Sequence, residues 1–113
     1  MALGMPKEAA EAFQQVVDGS GNALYKQMGR LALAEAQARA GQFDQAIGIY
    51  TELAQRKDDH LPVEGVLMQL ARTYREAGKK TEAEQTFNRV ISEFPGTAFS
   101  DEARRELEAL KRS

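Results

Sequence analysis

Apolar positions recur along this chain at helical spacing. Ala46, Tyr50, Leu53 and Ala54 lie at i, i+4, i+7 and i+8, one face of an α-helix. Leu24, Met28, Leu31 and Ala34 or Ala38 form a stripe before Gly41, and Leu67, Leu70, Ala71 and Tyr74 form one before Gly78. The pattern predicts six helices, roughly 6–18, 22–40, 43–57, 62–77, 81–94 and 98–111, with no strand alternation. Short connections make neighbouring helices antiparallel hairpins. Asn22 is a candidate N-cap, Pro62 suits a first helical turn, and Thr81 with Glu84 has capping-box spacing.

The stripes repeat. Arg39 to Tyr50 reads RAGQFDQAIGIY, and thirty-seven residues later Glu76 to Phe87 reads EAGKKTEAEQTF. At that offset Gly4, Gly41 and Gly78 coincide, as do Ala9, Ala46 and Ala83, then Phe13, Tyr50 and Phe87, then Val16, Leu53 and Val90. Size class is kept at each place: a glycine to end one helix, a small residue where two backbones approach, an aromatic to fill the next gap. One hairpin cannot bury its own apolar face, whereas stacked copies bury it against each other.

Composition narrows the function. A chain of 113 residues is one domain of modest core, and 42% hydrophobic with 28% charged residues is an ordinary globular balance. A net charge of −2 carries no nucleic-acid footprint. No cysteine is present, which excludes disulfides, thiol nucleophiles and thiolate metal sites. No apolar run reaches the roughly 20 residues of a membrane span, so this segment does not insert directly. Asp58, Asp59 and the sole histidine, His60, are adjacent in RKDDHLP, where neighbours do not converge on one ion. They read as a polar linker, so no metal or cofactor is expected. Glu102 and Glu106 read as a solvated helix face beside Arg104 and Arg105. No catalytic motif appears, and the chain is not expected to be an enzyme.

The repeat resembles the tetratricopeptide repeat family. The resemblance rests on Leu70, Ala71, Tyr74, Gly78, Ala83, Phe87, Val90 and Pro95 in one copy, and on Leu33, Ala34, Gly41, Ala46, Tyr50 and Leu53 in the copy before it. Gln37 stands where the first-helix aromatic is expected and Asp58 where proline is, and the period exceeds the usual ~34. The extra residues fall most easily between repeats, at RKDDHLP and DGSGN. The resemblance implies an all-α fold of antiparallel hairpins stacked as a short right-handed superhelix over 1–113. Its parts are the second half of a truncated repeat (1–21), repeats over 22–58 and 59–95, and a capping helix over 96–113. That last helix has a narrow stripe of Ala103, Leu107 and Leu110 with a charged opposite face.

In that family the first helices of successive repeats line a concave groove where a peptide or partner domain lies. The matching positions here are Met28, Leu31, Glu35, Arg39, Met68, Arg72, Arg75 and Glu76. The lysine-and-asparagine clamp that some members use for a terminal carboxylate is absent, since Ala32 and Gln69 stand at its asparagine positions. Arg72 and Arg75, one turn apart, are expected to attract an acidic peptide. The function implied is a non-catalytic protein-interaction scaffold, and the alternative is a structural spacer or self-association unit.

Glu93 to Leu107, EFPGTAFSDEARREL, is similar to repeat junctions of bacterial cell-envelope members such as the Tol–Pal-associated coordinator and the outer-membrane assembly lipoprotein. Leu31 to Ala54 is similar to the ancillary translocon subunit family. These favour a periplasmic or envelope setting and a place in a larger assembly protein, while a chain without cysteine suits the cytoplasm as well. By register, Ala2-Leu3-Gly4 matches Arg39-Ala40-Gly41, so the chain is expected to be a fragment that starts at the end of a missing helix. The helix over 6–18 would then leave an uncovered apolar side, and a homodimer through Phe13 or Val17 is expected.

Overall fold

The computed structural model describes residues 9, 10, 14, 23–55 and 62–113. Among these the helix is the one kind of regular element, with no strand. Five helices follow in order: α1 (Ala23–Arg39), α2 (Phe43–Gln55), α3 (Val63–Glu76), α4 (Lys80–Glu93) and α5 (Ala98–Arg112). The chain divides into two compact units, residues 1–61 and 62–113.

In the first unit α1 and α2 pack as a hairpin. The turn between them is closed by the glycine expected from the repeat: Gly41 has φ +80°, a conformation that only a residue without Cβ reaches cheaply. Its amide donates to the Ala38 carbonyl (3.1 Å) and the Gln42 amide donates to Gln37 (2.8 Å), which satisfies two orphan carbonyls at the end of α1. The small residue of the repeat, Ala46, is 0% exposed, and the aromatic one turn on, Tyr50, is 1% exposed. Ala10, also helical, is buried in a cluster with Leu33 and Ala36, against which Ala9 and Ile49 pack.

The second unit repeats this closure. Gly78 has φ +79°, its amide donates to Arg75 (3.1 Å), and the Lys79 amide donates to Tyr74 (2.8 Å). Every donor and acceptor is displaced by the repeat length from its counterpart in the first unit. Ala83, Phe87 and Val90 are 0% exposed, and α4 packs on both α3 and α5. Fully burying a Phe or Val side chain contributes roughly 1.5–3 kcal/mol. The buried hydroxyls of Thr73 and Thr86 donate to the carbonyls of Gln69 (2.7 Å) and Glu82 (2.8 Å) four residues back, so neither is orphaned.

Burial follows the same register through a third helix. Gly29, Val66 and Ala103 are all buried, as are Leu33, Leu70 and Leu107, then Ala36, Thr73 and Leu110. The faces diverge elsewhere. Where α3 buries Leu67 and Ala71, α5 carries Arg104 and Glu108, both exposed.

Helix starts correct two expectations. α4 begins at Lys80, so Thr81 lies inside it and makes no capping box with Glu84; the Ala83 amide instead bonds the Lys79 carbonyl (3.0 Å). The turn at Gly78 is so tight that the helix starts before the threonine. Pro62 is the N-cap of α3, one place ahead of its first turn, at φ −69° and ψ 117°. The cap with side-chain chemistry is Thr97, whose hydroxyl accepts from the Ser100 amide (3.1 Å) and donates to the Phe94 carbonyl (2.8 Å). Asn22 lies outside the described residues.

Candidate functional site

Gln69, Arg72, Arg75 and Glu76, none of them buried, follow one another at helical spacing in one band of α3. The buried stripe of α5, Ala103, Leu107 and Leu110, turns a second band, Glu102 and Glu106, toward the Arg72 edge of α3. The two bands meet through charge. Arg72 Nε donates to Glu106 Oε1 (3.0 Å) and Oε2 (3.1 Å), and Arg72 Nη2 donates to Glu106 Oε2 (2.7 Å). The same Nη2 also reaches Glu102, and Arg75 Nη1 donates to Glu106 Oε1 (2.9 Å).

Fork geometry of this kind uses what a guanidinium offers and an ammonium does not, several donors fixed in one plane. The pairs are part-buried: the Arg72 and Glu106 side chains are 29% and 20% exposed. The hydrogen bond that Arg72 donates to Glu106 raises the Arg72 pKa against the opposing effect of burial, so the guanidinium stays charged. For Glu106 burial is the largest influence and pushes the carboxyl up, but Arg72 and then Arg75 together outweigh it and hold the group below its ordinary range.

Glu102 and Glu106 are therefore not the freely solvated face that their neighbours Arg104 and Arg105 suggest. Contact across thirty residues or more is invisible to local charge pattern. A register signal existed: Glu102 and Glu106 align with Gly65 and Gln69 of α3, which places them on the face next to Arg72.

The remaining expected groove residues fall into different environments. Met68 is 1% exposed and is a core side chain rather than a surface one. Glu76 is exposed. On α1, Met28 is 50% exposed and Leu31 is half-buried, while Glu35 and Arg39 are exposed and paired with each other four residues apart (3.2 Å). Tyr25, 62% exposed and three residues before Met28, extends that apolar face beyond the stripe that begins at Leu24 and Met28. Arg30 ties α1 to α2 through Glu52 (2.6 Å). Phe13, Val17, Asp58, Asp59 and His60 lie outside the described residues.

Chemically the described surface offers charge pairing and apolar contact. Among the described residues no group of three His, Cys, Asp or Glu side chains is placed to hold a metal ion. No helix among them is long and apolar enough to cross a membrane. A family model described as Tetratricopeptide repeat matches residues 38–100. No curated protein matches the chain.

Proposed function

The chain belongs to the tetratricopeptide repeat family, and from that membership we propose that it works as a non-catalytic scaffold that holds a peptide or partner domain on its first-helix faces. Repeats of this family generally mediate protein–protein interaction. The observation that carries the finer reading is on α1. Among the described residues Tyr25 and Met28, 62% and 50% exposed, are the large apolar side chains left at the surface, and Met28 stands at a groove position. Aromatic and methionine side chains are the types enriched at recognition surfaces. Glu35 and Arg39, further along the same helix, supply the polar rim.

The envelope setting is the finest part of this proposal. It is supported by the junction-like stretch from Glu93 to Leu107, and it makes the chain one segment of a larger assembly protein with a protein partner. The test combines light scattering with partner capture by the wild type, Met28→Glu and Tyr25→Ser. Captured partner lost in both variants, with the helical circular dichroism unchanged, supports the scaffold. A tight homodimer that binds no other protein, with Phe13→Ser making it monomeric, supports the self-association alternative instead.

A further inference from the structure

We propose that Glu102 and Glu106 are a built-in counter-ligand, which occupies Arg72 and Arg75 and makes the α3 face reject acidic partners. The inference rests on the scaffold reading for this face and deepens it by stating which ligand charge the face admits.

Two arginines one helical turn apart on a ligand-facing helix would by themselves draw an acidic peptide. Here both already donate to carboxylates of the same chain. Arg72 meets both oxygens of Glu106 and one of Glu102, and Arg75 meets Glu106. Two guanidinium and two carboxylate groups leave the cluster neutral. The carboxylates are carried four residues apart by a helix whose other side, Ala103, Leu107 and Leu110, is buried. Each therefore sits at its arginine at an effective concentration that a free peptide carboxylate does not match. An incoming acidic segment would have to displace these groups and leave Glu106, only 20% exposed on its side chain, without its counter-charges.

Other ion pairs of the described residues do not have this form. Arg39–Glu35 and Arg89–Glu93 are within single helices, and Arg30 pairs with Glu52, whose side chain is 61% exposed. At the α3–α5 edge two helices bring opposite charges into a forked network at the positions where this fold presents ligand contacts. A neutral or mixed-charge segment is what the wild-type face admits.

The probe is fluorescently labelled poly-L-glutamate, followed by anisotropy. Wild type, Glu102→Gln with Glu106→Gln, and Glu102→Ala with Glu106→Ala are compared after circular dichroism shows the helical signal. The alanine pair covers the case in which glutamine oxygens stay bonded to Arg72. Removing the carboxylates is expected to tighten binding by at least about tenfold. That gain should weaken with salt and disappear when Arg72→Gln and Arg75→Gln are added. Folded variants without a gain overturn the proposal, as does a gain that survives loss of both arginines. One arm keeps the cluster neutral: Arg72→Gln with Glu102→Gln removes one charge of each sign and should leave poly-glutamate binding unchanged, and a fall would show that Arg72 was available to an acidic ligand all along. None of these readouts involves the α1 face, so partner capture there stands or falls separately.

Discussion

The Gln37 and Tyr74 carbonyls do the same job in two hairpins: each accepts the amide that closes its helix across a glycine, at 2.8 Å in both cases. Their side chains do not match. Tyr74 brings the aromatic ring of the repeat, whereas Gln37 places its Oε1 in the interior, buried and without a hydrogen-bond partner. A buried unsatisfied acceptor costs roughly 1–3 kcal/mol. Gln37→Met keeps the unbranched shape and removes the acceptor. It is expected to raise unfolding stability by roughly 1 kcal/mol, read from the urea midpoint with an unchanged slope.

The packing alanines give the opposite sign. Ala46 and Ala83 are 0% exposed, so Leu at either site overfills a close helix contact and should cost roughly 1–3 kcal/mol. Gln85→Leu, on the exposed side of α4, is the control and should be near neutral. Thermal melts that show no loss for both alanine variants would contradict the repeat register.

Glycines split by backbone conformation. At Gly48, inside α2, an added Cβ meets nothing within 4 Å, and Gly48→Ala should stabilise by about 0.5–1 kcal/mol through helix propensity alone. Gly78 is equally open but sits at φ +79°. Gly78→Ala should lose about 1–2 kcal/mol despite the available space. Chemical denaturation of the two variants side by side separates conformational strain from packing.

Acid should loosen the α3–α5 edge. The folded-state pKa of Glu106 is depressed, so the unfolded chain binds its proton first as pH falls. The contribution is complete above the unfolded glutamate value of about 4.3 and is lost as pH drops through the lower folded value. Melting curves from about pH 6 down to about pH 3 should show a steeper acid loss for wild type than for Glu106→Gln, which has no proton to take up at that site. Parallel curves would remove Glu106 from the acid response.

Much of the fold was legible because its determinants are local and periodic. Glycine at a fixed offset, small residue five places on and aromatic four places after that can be read along one strand of text, and both hairpins close where those residues said. Helix starts were less legible, since Thr81 is a good cap in isolation and the tight turn at Gly78 overrides it. The polar surface was least legible. Matching Met68 to a groove position ignored that it continues a buried run from Val66 to Met68. The partners of Arg72 come from a helix thirty residues on, and only the register carried into α5 brings them to the same edge.

The Thr97 hydroxyl holds the last carbonyl region of α4 with its proton and the first turn of α5 with its lone pair. One oxygen is thus shared by two helix ends, and fraying at either releases a bond at the other. Opening fluctuations at this corner are coupled in time: the Ser100 amide should exchange with solvent deuterium at the pace of the α4 terminus rather than at that of an ordinary exposed helix start. A joint that small acts as a clutch between two neighbouring helix ends, engaging or releasing them together.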